Sequence, residues 1–473
     1  MEQKNANVIF GLNDRPKLGI ALTVAFQHLL AIFVGIITPT IVLAGIFKWD
    51  ITTTGYLVSM ALIVSGVSTF VQTKRLGPIG SGLLSIQGTS FAFIGPLIAA
   101  GFAGGGGEAG LAMIFGVCFF GSFIEMILSR FIHHLRKVIT PIVTGTVVSL
   151  IGLSLIKVGI TDMGGGAWLL NNKPEFYGSI RNFSLAMITM VAIIIFNRSK
   201  NPIIRMSSIM LGLLIGYIIS IFMGLVDFSA LKDIPVVSIP IPFKFGISFS
   251  FKSFLPIAII YVITTIESTG DLTATSMVSG EPIQGKKYIN RIKGGVLGDG
   301  FNSMVAAIFN TFPNTTFSQN NGVIQLTGVA SRYVGMYLAG ILVFLGLFPI
   351  IGGVFQIMPK PVLGGATIIM FATVAAAGIK IISTVVLTRR RMMILAVSFG
   401  LGLGVLFVPQ FLSGFAPNGL IRTVFSSSIT TGGLTALILN LVLPRVEPDD
   451  HIAGDIADFE AGESAQEKTE DPS

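Results

Sequence analysis

The chain has 473 residues, 52% of them hydrophobic and 11% charged, with a net charge of +8 and a mean hydropathy of +0.82. Soluble domains carry about 25% charged residues, so this composition excludes an aqueous enzyme or binding module and describes a polytopic membrane protein. The positive charge lies mostly in loops between apolar runs, which makes it a topological signal and not a nucleic-acid footprint.

Residues 1–17 are polar and read as a cytoplasmic N-terminus. The first apolar run, Leu18 to Phe47, is far longer than the roughly 7 to 15 residues of a signal-peptide core. It reads as a spanning helix that carries the polar pair Gln27 and His28. Fourteen candidate spans follow one another, centred near residues 32, 64, 92, 119, 148, 189, 215, 266, 302, 323, 342, 372, 400 and 434. About 20 apolar residues cross ~30 Å of hydrocarbon. The third and tenth spans are short, polar and glycine-flanked, and read as broken helices or extended segments. Cys118, the single cysteine, lies in the fourth span and reads as a packing or lipid-facing residue.

With the N-terminus inside, the cytoplasmic loops hold Lys74 and Arg75, then Arg130, Arg136 and Lys137, then Arg198, Lys200 and Arg205. Lys286, Lys287, Arg291 and Lys293 follow, and then Arg389 to Arg391. His133 and His134 share one of these basic loops and carry no special signal. An even number of spans returns the C-terminus to the cytoplasm, where the acidic segment 446–473 is expected to be disordered. The expected location is the cell (inner) membrane, with both termini cytoplasmic.

The two halves echo each other. Pro141-Ile142-Val143-Thr144-Gly145 opens the fifth span and Pro361-Val362-Leu363-Gly364-Gly365 the twelfth. Gln87-Gly88-Thr89-Ser90-Phe91 in the third span answers Gln319-Asn320-Asn321-Gly322-Val323 in the tenth. Seven spans per half gives the halves opposite orientations, and interrupted helices in matching positions point to a transporter with its site at the midplane.

Ionisable residues inside spans are functional candidates by default. Glu267 and Asp271 in the eighth span are four residues apart and share a helix face. Asp299 lies in the ninth span among glycines, placed either at the site or against the broken segments. Each acid has a competing role as a cap or bridge between helices, and His28 one as a helix contact. A knot of amides and hydroxyls from Thr315 to Thr327 persists in lipid only where it lines a cavity or holds a ligand.

The stretch Gln319-Asn320-Asn321-Gly322-Val323-Ile324-Gln325-Leu326-Thr327-Gly328 resembles the signature of the nucleobase-ascorbate transporter family. Gln27, His28, Gln87 to Phe91, Glu267, Asp271 and Asp299 fall where that family keeps its other motifs, so the likeness covers essentially the whole chain. Within it, Gln-Asn-Asn-Gly followed by Thr-Gly and by Val329-Ala330-Ser331-Arg332 is most similar to bacterial xanthine permeases. Uracil permeases have Glu at the position of Gln319, and uric-acid permeases tend to have Arg at that of Gly328. Some close xanthine permeases have Asn where this chain has Ser90, which leaves the breadth of substrates open.

The resemblance implies an all-α fold of 14 transmembrane segments in two inverted repeats of seven, with short strands in segments 3 and 10. A core domain would comprise residues 18–135 and 251–355, and a gate domain residues 136–250 and 356–445. It implies xanthine or a related purine as substrate, with uric acid or a broader nucleobase range as the alternative. Glu267, Gln319, Asn320, Phe91 and Ser90 would bind it, and Gln27, Gln87, Gly322 and Thr327 would support the motif. The coupling ion would be H+ in preference to Na+, carried by Glu267, Asp271 or Asp299 with His28 tuning the network, since burial disfavours a carboxyl's charged form. The family is commonly dimeric through its gate domain. No cofactor, metal or catalytic residue is expected. An anion exchanger or channel of similar architecture would present a positive residue to its ion, and an intramembrane enzyme would need a nucleophile and base or a metal cluster.

Overall fold

The computed structural model describes residues 8–132, 140–412 and 420–444. His133, His134, Arg136, Lys137 and the acidic tail lie outside the described residues. Fourteen principal helices fall at or beside the expected span centres. The first half holds α1 (Leu18–Phe47), α2 (Ile51–Lys74), α3 (Ile94–Ala103), α4 (Ala109–Arg130), α5 (Pro141–Met163), α6 (Ile180–Asn197) and α7 (Ser208–Phe222). The second holds α8 (Phe251–Val278), α9 (Gly285–Ile308), α10 (Gln319–Thr327), α11 (Arg332–Gly346), α12 (Lys360–Ile382), α13 (Arg389–Phe407) and α14 (Ser428–Val442).

Among the described residues, eight helices are long and apolar enough to cross a membrane, and α11 with its continuation Ile350–Gln356, bent by 74°, makes a ninth. Phe91–Ala103, α7 and α14 are shorter apolar helices. α9 and α10 meet neither description, because α9 opens on a basic run and α10 has nine residues.

Local chemistry sets the ends. α1 stops where Lys48 takes a left-handed conformation and its N–H bonds back to Ala44. Asp50 then caps α2 by accepting from the Thr53 N–H at 2.7 Å, as Asp side chains favour at a helix start. Pro141, with no N–H to leave unsatisfied, opens α5 behind the Thr140 cap.

The packing pairs repeat. α2 packs along α11 and α4 along α9, and a shift of seven helices turns one pair into the other. α6 with α7 matches α13 with α14, and α1 with α10 matches α8 with α3. The most extensive pair, α5 with α12, is its own image under that shift. Small residues allow this close crossing: a Cβ on Gly378 of α12 would lie 2.7 Å from the Gly145 carbonyl oxygen of α5.

The N-terminal segment is more ordered than its polarity suggests. Ile9 and Phe10 donate to the Gly328 carbonyl at 2.8 and 3.0 Å, and Ala330 and Arg332 donate back to Phe10 and Leu12. The Ser331 hydroxyl donates to the Asp14 carbonyl at 2.6 Å. Short backbone pairing of this kind has no signature in hydrophobic pattern. Cys118 is fully buried, so packing is its role.

Between α8 and α9, Glu281 forms ion pairs of 2.9 Å with Lys287 and with Arg291. Burial pushes its carboxyl up, but hydrogen bonds and charge from Lys287 and Arg291 outweigh this and hold it below the usual carboxylate range. A depressed folded value gives stability that is present above the unfolded value of about 4.3 and lost as pH falls through the folded value. Acidification through that window is therefore expected to lower the melting temperature of the detergent-purified protein more than that of Glu281→Gln. Equal acid sensitivity in the two would show that this cluster is not a source of pH-dependent stability.

Candidate functional site

Two short strands meet where the interrupted segments cross. β1 (Gln87–Thr89) pairs antiparallel with β2 (Asn314–Thr316), with Gln87 opposite Thr316 and Thr89 opposite Asn314. The pairing extends beyond the strands through Ser90 N–H to Pro313 O at 2.8 Å and Phe317 N–H to Ile86 O at 2.9 Å. Unsatisfied backbone is too costly in lipid to remain open, so each half-chain closes the other's ladder. Gly88 permits the crossing because a Cβ there would lie 2.6 Å from Phe317 Cζ and 3.0 Å from Ile36. After the strands the chain turns at once into helix, through the 3-10 turn Phe91–Phe93 into α3 and through Ser318 into α10. The helix starts present the positive ends of their dipoles beside the crossing, although the Asn320 and Asn321 N–H groups of α10 already donate to the Phe317 and Ser318 carbonyls.

Acidic side chains gather from α8, α9 and α4. Asp299 is fully buried and accepts from Gln72 Nε2 at 2.5 Å. Gln72 also donates to the Gly295 carbonyl and accepts from the Ser81 N–H, so all three bonds fix its amide. Gln87 and Ser268 also lie against the Asp299 carboxyl. Asp271 accepts from Thr316 Oγ1 of β2 at 3.2 Å. Glu267 is half-buried, close enough to Asp271 and Asp299 for their charges to act on it, and its Oε2 has no hydrogen-bond partner among the described residues.

The predicted site residues converge unevenly. His28 Nδ1 lies 2.8 Å from Asn320 Oδ1, tying α1 to the start of α10. Gln27 is half-buried with an unpaired Oε1. Ser90 and Phe91 are buried at the start of the α3 half-helix, and the Phe91 ring meets Phe371 of α12 edge-on at 5.6 Å. Gln319 and Gly322 are exposed, three residues apart on α10, and Gly322 has open space where a side chain would be. Thr327 donates to the Val323 carbonyl and accepts from the Val329 N–H. It finishes α10 and is not turned toward the acids. Asn321 is held by Thr275, whose hydroxyl donates to it at 2.8 Å.

Sequence reading passed over Gln72, the scaffold of Asp299, and Glu125 of α4, which is buried beside Asp299 and Glu267. Glu125 was legible by the rule that singled out Glu267: a lone charge inside an apolar span. Gln72 carried no such signal, being a neutral amide 227 residues from its partner. The arrangement offers a planar polar ligand a carboxylate acceptor, amides that both donate and accept, the positive ends of two half-helices and an aromatic face.

Comparison with known proteins gives a consistent result. A family described as a permease family matches residues 19–411. The xanthine permease XanQ of Escherichia coli is 47% identical over 443 residues, covering 93% of this chain and 94% of that protein. XanP, a second xanthine permease of Escherichia coli, is 45% identical over 448 residues, with 94% and 96% covered. The transmembrane domain of the cyanobacterial bicarbonate transporter BicA superposes with a TM-score of 0.54 at 14% identity, covering 91% of this chain and 99% of that one. The last likeness concerns the fold alone.

Proposed function

Since the chain belongs to the nucleobase-ascorbate transporter family of membrane permeases, we propose that it is a purine transporter that imports xanthine together with protons across the cell membrane. The observation that carries the reading is Glu267, whose Oε2 has no partner among the described residues, on the helix α8 that packs against both half-helices. Xanthine is planar and uncharged near neutrality, with ring N–H donors alternating with two carbonyl acceptors. Glu267 accepts from ring N–H groups, the Gln319 amide reads a carbonyl and an N–H together, and backbone groups near Phe91 and Asn320 complete the edge. Such a site rejects analogues that leave its own polar groups unpaired.

Protons are the coupling ion in this reading, with Na+ as the rival. Buried Asp299 and half-buried Glu267 and Asp271 form an acidic group, and both ion pairs among the described residues sit elsewhere, on Glu281. Proton uptake is the available way to neutralise such a group. His28, bonded to Asn320, ties α1 to the signature helix.

For access we propose that α1–α4 with α8–α11 form the substrate-holding core and α5–α7 with α12–α14 the gate. The helix pairs described above support this, since the extensive contacts fall within each set, and α1 and α8 make most of the contacts between them. The core then moves against the gate to expose the site alternately. We further propose a homodimer through gate-domain faces, an inner-membrane location and cytoplasmic termini.

A second reading has one observation in its favour. Half-helix starts suit an anion, and a bicarbonate transporter shares the fold. The cluster of acids disfavours it, because no ion pair among the described residues offsets them.

The test is uptake of labelled xanthine at acidic and neutral external pH, in cells lacking their own purine permeases, with and without a protonophore. Accumulation should be faster at acidic pH, be abolished by the protonophore, and be blocked by excess xanthine but not by uracil or bicarbonate. Absence of xanthine uptake by protein present in the membrane would overturn the substrate assignment. Accumulation that survives the protonophore and follows Na+ would overturn the ion.

A further inference from the structure

Glu125 lies in the inner part of α4 and is 1% exposed. Its Oε1 has no hydrogen-bond partner among the described residues. The charges of Asp299 and Glu267 act on its carboxyl. The helices are close here: a Cβ on Gly300, the neighbour of Asp299, would lie 2.8 Å from Met126 N and 3.1 Å from Ser122 O of α4. The titratable groups facing Glu125 are Asp299 from α9, and Glu267 and the Tyr261 phenol from α8. Tyr261 is committed to the Cys118 carbonyl, to which it donates at 3.0 Å. Glu125 forms no ion pair among the described residues.

A buried carboxyl without a cation is too costly to keep charged. Two acids facing each other behind a glycine contact therefore hold at least one proton between them, as carboxyl pairs do. Asp299 is already supplied with donors, from Gln72 above all, and such bonds favour a carboxylate. Glu125 Oε1 has no such donor among the described residues.

We propose that Glu125 is a proton-holding positioning residue of the transport cycle, sharing one proton with Asp299 behind the substrate site and returning it when Glu267 is engaged by substrate. In that transfer an O–H bond of the Glu125 carboxyl breaks as one forms on a carboxylate oxygen of Asp299. Glu125 becomes the carboxylate, Asp299 the acid, and the charge of the pair is unchanged. The role rests on the proton-symport reading. Glu125 touches no substrate in this scheme and acts through Asp299.

The test separates coupling from substrate movement. Glu125→Gln keeps the volume and removes the proton site. It is expected to exchange labelled for unlabelled xanthine across the membrane at near wild-type rate. Uphill accumulation should fall about a hundredfold, the lower end of what a positioned proton-transfer group contributes, with a flattened pH profile. Glu125→Asp should restore part of the accumulation and the pH dependence. Wild-type accumulation and pH profile in Glu125→Gln would overturn the proposal. So would parallel loss of exchange, accumulation and membrane protein in both variants, which would make Glu125 a packing residue. Protonophore-resistant accumulation by the unmodified protein would instead sink the proton-symport reading itself, an outcome separable from either.

Discussion

Glu267→Gln is expected to abolish xanthine accumulation while leaving the amount of protein in the membrane unchanged. The substitution is nearly isosteric, and Glu267 Oε2 has no hydrogen-bond partner among the described residues, so no hydrogen bond of that oxygen is lost. What changes is the sense of the hydrogen bonds. A carboxylate accepts at both oxygens, whereas an amide keeps one acceptor oxygen and puts an NH2 group in place of the other, so one ring N–H of the purine faces a donor. Leaving a buried donor unsatisfied costs roughly 1 to 3 kcal/mol for each group, so the two donors left facing each other correspond to a loss of about a hundredfold or more. Initial uptake rates beside a membrane blot provide the measurement. Accumulation of xanthine against a gradient by Glu267→Gln would remove Glu267 from the substrate site.

The second large effect concerns stability. A Cβ on Gly152 of α5 would run into the backbone of α12, 2.6 Å from the Phe371 carbonyl oxygen and against the Ala375 amide. Backbone in the middle of a helix cannot step aside as a side-chain end can, so the two helices must separate along the most extensive interface of the molecule. Overpacking costs typically about 1 to 3 kcal/mol even where side chains can adjust, and Gly152→Val is expected at or above the top of that range. The matched control is Gly340→Val on α11, an exposed position with nothing within 4 Å of its Cβ. Fluorescence-detected gel filtration after heating should show Gly152→Val lost at temperatures where wild type and Gly340→Val persist. Equal survival of the two variants would show that the α5–α12 crossing has slack.

The sequence was most legible where composition alone decides structure. The Leu18 to Phe47 run is a helix with those same ends, because apart from Gln27, His28 and a few threonines its residues are better off in lipid or core than in water. The third and tenth segments were legible as interruptions for the opposite reason, being too polar to cross as plain helix. The place of the tenth-segment strand was not: Gln87 to Thr89 pairs with Asn314 to Thr316, while the Gln319 to Val323 stretch that echoes Gln87 to Phe91 in sequence is helical. Glu267, Asp271 and Asp299 stood out as charges in apolar surroundings. What they bond to did not, because the Asp271–Thr316 and Asp299–Gln72 contacts join residues far apart in the chain, and no local pattern encodes such partners. The role of Thr327 was equally hidden, since a hydroxyl that closes a helix end and one that meets a ligand look alike in a sequence. The docking of residues 9–12 on Gly328 to Arg332 relies on backbone atoms that every sequence has.

The β1–β2 pair has a consequence for how such a chain could arise and how it could be divided. Each seven-helix half supplies one three-residue strand and leaves it with an open edge unless the other half is present. In the middle of a bilayer that edge has no water to turn to. A half-length ancestor would thus have been stable only as an oppositely inserted pair of copies, and gene fusion would have preserved a contact that already existed. By the same logic, cutting the chain in the loop between α7 and α8 yields two fragments that are each incomplete at the midplane, so co-expression, with each fragment templating the other, is the route by which both would survive.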